Sequence, residues 1–156
     1  MGTHLPKITV ELLTEEDAEW AARVAAARMI AEEVGRPELV NYDNLDLITS
    51  TVISTGTALI AKVDGVRAGV VGGFLGPNVF NYNFTTLTEV IWYVLPEYRN
   101  TRVGLLLLKE FMELGEEVAD ETMFCLLHSS PVKIQTLEKR GFQLCEFNFR
   151  KQNGVI

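Results

Sequence analysis

The stretch TEVIWYVLPEYRNTRVGLLLLKEFMEL, Thr88 to Leu114, constrains the fold more than any other part of the chain. Its first half is rich in β-branched and aromatic residues, as a strand is, and Pro96 stops it. Leu107, Phe111, Leu114 and Val118 then recur at spacings of four, three and four, the period of a helix. A strand that passes directly into an amphipathic helix calls for a sheet with a helix on its face, the α/β class. The junction leaves the first-turn N–H groups of the helix pointing one way, with Arg99 and Arg102 beside them. Such a mouth suits a phosphate or another anion. Gly104, one turn in, lets a large group come close to the backbone. A plain loop with two surface arginines fits the spacing equally well.

The flanking sequence sets the topology. KITVELLT reads as a first strand, and Thr14 with Asp17 three residues later resembles a capping box. The Ala-rich run after it carries Trp20, Val24, Ala27 and Val34 near helical spacing, and Gly35 and Pro37 end it. A second helix starts near Asp43 or Asn44, with Leu45, Ile48 and Val52 on one face, and stops before Gly56. TALIAKV and RAGVVGGFL flank Asp64–Gly65, a hairpin turn signal. TLTEVIWYVL is a further strand, and the long helix follows it. TMFCLLH reads as a strand, SSPVKIQTLEKRG as a helix with a Ser cap, Pro131 in its first turn and Gly141 past its end, and FQLCEFNFRK as a last strand. The order is β-α-α-β-β-β-α-β-α-β. It predicts a mixed α/β sheet, part antiparallel and part parallel, flanked by about four helices.

At 156 residues the chain is read as a single domain over 1–156, with residues 1–6 set aside as disordered or appended. No repeat, linker or secretory leader is apparent, and no apolar run approaches a membrane span. Cys125 and Cys145 sit in apolar runs and are read as buried, reduced thiols. No Cys/His spacing suits a metal. These features point to a cytoplasmic protein. The net charge of −7 disfavours a nucleic-acid partner and favours cationic ones such as amines.

VLPEYRNTRVGLLLLKEF resembles the acetyl-CoA-binding segment of the GNAT N-acetyltransferase superfamily, and LEKRGF, Leu137 to Phe142, is similar to that family's later Y-E-K-x-G-F motif. The two motifs occur in the family's order, and the likeness spans residues 8–151. The compact ending EFNFRK is similar to that of phage-encoded members. The resemblance implies a centrally splayed sheet and acetyl-CoA as cosubstrate. Trp92, Tyr93, Val94 and Leu95 would offer backbone groups to the pantetheine arm. Arg99, Asn100, Thr101, Arg102, Val103, Gly104 and Leu105 would cradle the pyrophosphate, and the thioester would lie where the fourth and fifth strands part. Asn100 and Arg102 replace two family glycines. Asn tolerates positive φ, so the turn survives at Asn100. Arg102 would have to point outward, towards a phosphate.

The implied reaction, attack of an amine on a thioester, needs a base for the amine and a donor for the thiolate. Glu89 is the leading base, placed by period two on the face of Ile91 and Tyr93, with its pKa raised by desolvation. A solvent-facing or paired carboxylate is the plainer reading. Tyr93, His128 and Ser130 are the other proton-transfer candidates. Packed or capping roles are open to each. Leu137 stands where many family members have a Tyr that protonates the thiolate. The acceptor, a peptide, protein or small amine, would meet the first two helices, their linker and the loop carrying Phe80, Tyr82 and Phe84. The alternative is a non-catalytic module of the same fold that binds CoA or a protein partner. A homodimer is compatible with either.

Overall fold

The computed structural model describes residues 4–154. Five strands form one sheet in sequence order: β1 (Ile8–Leu12), β2 (Ala58–Val63), β3 (Val66–Pro77), β4 (Thr85–Val94) and β5 (Glu121–Met123). The first four pair antiparallel and β5 joins β4 parallel, so the mixed sheet is as the sequence predicts. The β2–β3 hairpin turns on Asp64 and Gly65, with φ of 50° and 81°, a turn that needs positive φ at both positions. His4 lies against this turn, its Nε2 3.2 Å from Asp64 Oδ1. Residues 1–3 lie outside the described residues.

Both faces of the sheet are covered, which is why β2 and β3 read as continuous apolar runs. One face carries α1, a helical segment over 15–33, and α2 (Tyr42–Thr55). Ala21, Ala25, Val52, Ile60, Val70 and Tyr93 form their core. The other face carries α3 (Val103–Val118), which packs Val103, Leu107 and Phe111 against Leu59, Ala61, Val71 and Leu87. Of the residues whose spacing predicts α3, Leu107 and Phe111 are buried and Leu114 packs partly against them, whereas Val118, at the last turn, is exposed. A short α4 (Ile134–Glu138) follows β5.

Four local expectations fail. Thr14 makes no side-chain cap. Asp17 instead turns inward, accepting from Arg67 Nε at 2.6 Å and pairing with Lys62 Nζ at 3.0 Å. Burial works to raise its pKa, but these two bonds outweigh it and hold the carboxyl below its ordinary value. Ser130 does not cap α4, whose N-cap position is Lys133 in extended backbone. Ser130 Oγ accepts the Val132 N–H at 3.1 Å, two residues earlier. Cys125 and Cys145 are both exposed, because the runs that hold them are not ladder strands. β5 ends at Met123, and residues 142–152 join no strand, leaving Leu144, Phe147 and Phe149 exposed. A three-residue β5 offers too short an edge for a sixth strand to pair with.

α1 is not a uniform α-helix. It opens into wide π-helical turns at Ala21–Ala26 and Met29–Glu33. Wide turns of this kind occur often at functional sites, and the second one bears on the cleft described next.

Candidate active site

β4 and β5 are paired only from Thr86↔Glu121 to Thr88↔Met123, and beyond that they part. Two features at the parting point shape the gap. On β4, Glu89 pairs with Gly73 and Ile91 with Gly72, so Val90 is an extra residue, a β-bulge. A side chain at Gly73 would run into the carbonyl of Thr88, so glycine is required for the strands to close beside the bulge. Past β5, Phe124 packs edge-on against Trp92, Phe111 and Phe142 at centroid distances of 5.5, 5.4 and 5.4 Å, which holds the departing chain at a distance.

The result is a cleft of about 680 Å³. The end of α1 (Met29, Glu33) with Val34 just after it, the splayed part of β4, the residues after β5 and the first turn of α3 form its walls. Ser129 Oγ donates to the Glu33 carbonyl at 2.9 Å and ties the chain after β5 to α1.

The bulge corrects the face assigned to Glu89. Strict alternation groups it with Ile91 and Tyr93, but the extra residue at Val90 breaks the period. Ile91 and Tyr93 pack towards α1 and α2, whereas Glu89 lines the cleft with Trp92 and Val94. Glu89 is 9% exposed. Its Oε2 accepts the N–H of Cys125 at 3.3 Å, a group that a continuing ladder would have given to a β4 carbonyl. Burial pushes its pKa up to about 7, against the Cys125 hydrogen bond and helped by the negative charge of Glu33. Glu33 is itself raised, by burial first, with Arg99 opposing and Glu32 adding. Two carboxyls with raised pKa therefore share the cleft. Glu33 was not singled out from the sequence. A Glu pair at a helix end reads there as a solvated terminus, and only the wide turn and the fold bring it to the gap.

The other proton-transfer candidates separate. Tyr93 is 1% exposed, in the core on the far side of β4, and its hydroxyl donates to Glu32 Oε2 at 2.8 Å. Burial, then the bond to Glu32, push its pKa up to about 12. It does not line the cleft, because a strand residue beside Trp92 faces the opposite way. His128 is exposed in a turn outside the cleft lining. Ser130 does line it. Cys125, read from the sequence as a buried thiol, is exposed to the cleft it lines, where partial desolvation and the charge of Glu89 raise its pKa. Leu137 is buried.

Of the residues expected to hold a cofactor, Trp92, Val94, Arg99, Thr101, Gly104 and Leu105 line the cleft. Tyr93, Leu95 and Val103 are buried in the core, and Asn100 and Arg102 are exposed outside the lining. Leu95 N–H bonds to Ala68 O at 2.9 Å, so by antiparallel alternation the peptide groups of Trp92 and Val94 face the gap. Arg99 Nε donates to the Val94 carbonyl at 2.9 Å, while its Nη2 stands 3.6 Å from Glu33 Oε1. The loop needs no glycine at Asn100 or Arg102. Among the described non-glycine residues only Asp64 has positive φ, so Asn100 is not the compromise expected of it. Among the described residues, no acceptor takes the N–H of Arg102, Gly104 or Leu105. A Cβ on Gly104 would meet only Val94 Cγ2, at 3.7 Å. No internal neighbour demands glycine there, which leaves room above the helix start for something else. Trp92 Nε1, buried in the wall, has no acceptor.

Phe80 and Tyr82 do not reach the cleft. They are 95% and 77% exposed at the other end of β4, because their loop joins its N-terminal end. No group of three or more His, Cys, Asp or Glu arranged to hold a metal occurs among the described residues. No described helix is long and apolar enough to cross a membrane.

Comparison with known proteins gives the same architecture. A search of curated protein sequences returned no match. Solved structures match over nearly the whole chain. A predicted acetyltransferase with acetyl-CoA from Clostridium acetobutylicum superposes with a TM-score of 0.71 at 14% identity, covering 94% of this chain and 96% of its own. An aminoglycoside N-acetyltransferase in complex with CoA gives 0.69 at 13%, covering 99% and 100%. A ribosomal-protein-alanine N-acetyltransferase from Brucella melitensis biovar Abortus 2308 gives 0.66 at 18%, covering 96% and 100%. The profile of the acetyltransferase (GNAT) family matches residues 16–142, a span that runs from the start of α1 through the parted strands to the end of the LEKRGF segment. The chain belongs to the acetyltransferase (GNAT) family.

Proposed function

We propose that the chain is an acetyl-CoA-dependent N-acetyltransferase that acts on a primary amine. The observation that carries this reading is Glu89, a buried carboxyl with a pKa of about 7 in the gap between parted strands. A group with a pKa in that range exchanges its proton near neutral pH and can accept one there, directly or through one water. Family membership and the three structural neighbours, two with CoA or acetyl-CoA in their descriptions, support the cosubstrate. The neighbours named for aminoglycosides and for ribosomal-protein alanine both act on amines.

Acetyl-CoA supplies an activated acyl thioester. The residues of this chain fit such a ligand. The free N–H groups of Arg102, Gly104 and Leu105 at the positive end of α3 hold the pyrophosphate. Gly104 permits the approach, and Arg99 and Lys133 add positive charge to the wall. The gap-facing peptide of Trp92 meets the pantetheine arm. Glu89 takes a proton from the incoming ammonium. Ser130, which accepts from Val132 N–H and keeps its own proton free, donates towards the leaving sulfur. A hydrogen bond from this hydroxyl stabilises the departing thiolate, which takes its proton from water; Leu137 has no donor to offer there and Tyr93 is withdrawn into the core.

Calorimetric titration with acetyl-CoA tests the cosubstrate. The reading predicts one saturable site per chain. Absence of binding contradicts it.

A further inference from the structure

A second space lies on the opposite side of β4, between α1, α2 and the sheet. It measures about 200 Å³, and of the residues that line it only Thr49 is polar. It exists because α1 is built of small residues where it crosses the sheet: Ala21 and Ala26 line it, on the first wide turn. A cavity of roughly 150 Å³ lined by aliphatic residues stays dry and takes up benzene, so this one accommodates a hydrocarbon group of about six carbons. Left empty, such a space weakens a fold. Met29 and Val90 belong to the walls of both this space and the cleft. Val90 is the bulge residue next to Glu89, and Met29 sits on the second wide turn with Glu33. Met29, unbranched and flexible, is the adjustable part of the shared wall.

We propose that this space is the subsite for the apolar body of the acceptor, so that the preferred acceptor is a primary amine carrying a compact hydrocarbon group. The proposal rests on the acetyltransferase reading for the chemistry at the amine. The ammonium lies in the cleft between Glu89 and Glu33, and the hydrocarbon passes Met29 and Val90 into the space behind. A long acyl chain on the cosubstrate is the competing occupant. It has no charge to set against two carboxyls on the cleft side of the shared wall, whereas an ammonium meets both.

The test uses ethylamine and n-hexylamine as acceptors, acetyl-CoA and hexanoyl-CoA as donors, and calorimetric binding of n-hexylamine to the full chain. With acetyl-CoA, n-hexylamine should exceed ethylamine in kcat/KM by at least roughly tenfold, from the extra apolar burial. Ala26→Leu fills the space and should bring the two amines within about twofold by lowering kcat/KM for n-hexylamine. Ile48→Phe fills it from α2 and serves if the first variant folds poorly. Equal wild-type kcat/KM for the two amines overturns the proposal. So does an Ala26→Leu effect confined to hexanoyl-CoA, which would give the space to the acyl chain. Binding of n-hexylamine that Ala26→Leu weakens, with no thiol released from acetyl-CoA, upholds the subsite and overturns the acetyl-transfer reading instead.

Discussion

Glu89 shows how far a single residue is legible in sequence. Its strand and its apolar neighbours follow from the residues alone, but the rise in its pKa follows only once the carboxyl is known to be buried. Its face does not follow. One extra residue at Val90 reverses the alternation, and a bulge leaves no mark on local periodicity. With a pKa of about 7, Glu89 is mostly protonated in acid and mostly ionised above neutrality. Glu89→Gln should therefore lower kcat/KM by roughly 10²-fold near pH 8, where the base is ionised, and by much less near pH 5.5, where wild type also lacks it. The rising limb near pH 7 in the wild-type profile should vanish. An unchanged profile would remove Glu89 from the mechanism.

The same residue also sets a stability prediction. Its folded pKa lies above the ordinary 4.5, so the unfolded chain gives up this proton first as pH rises. Burial of the carboxylate then costs stability progressively between pH about 4.5 and 7, and the full cost is present above that. Gln is neutral throughout and still offers an oxygen to Cys125 N–H. Glu89→Gln should leave the stability unchanged near pH 4 and raise it at pH 8 by on the order of 3 kcal/mol, read in thermal melts at the two pH values. A gain that did not vary with pH would show that the carboxyl is not buried.

At the scale of elements, the start of α3 was the most legible part of the site. Its spacing predicts the buried face as far as Leu114 but not at Val118, and Gly104 and Arg99 both line the cleft. Arg102 does not: it is exposed and outside the lining. The end of α1 was hidden, because two wide turns rotate Glu33 and Met29 to places a regular helix would not give them. FQLCEFNFRK alternates as a strand should, yet pairing needs an edge, and β5 supplies only three residues of one. Gly104→Trp places a large ring above the free N–H groups with no core contact to disturb. Acetyl-CoA affinity should fall by at least roughly a hundredfold, with thermal stability within about 1 kcal/mol of wild type. Calorimetry and a thermal melt report the two separately, and normal binding by that variant would move the cofactor elsewhere.

At the scale of the whole molecule, the sheet is held together on both faces at one end and opened at the other. Apolar runs in β2 and β3 specify the two-sided core, and the order of elements specifies where the parallel strand must come. The opening is a property of no single segment. It needs the bulge on β4, glycine opposite it, Phe124 wedged beneath the departing chain and Glu89 accepting the Cys125 N–H in place of a ladder bond. Each was present in the sequence, but only as pairings between residues far apart. The central claim is that this opening carries acetyl transfer to an amine. The measurement closest to it is release of free thiol from acetyl-CoA with and without a primary amine at pH 8, in wild type and in Glu89→Gln. The account predicts release that requires the amine and falls roughly a hundredfold in the variant. Saturable binding of acetyl-CoA with no amine-dependent release, or release indifferent to Glu89, would contradict it.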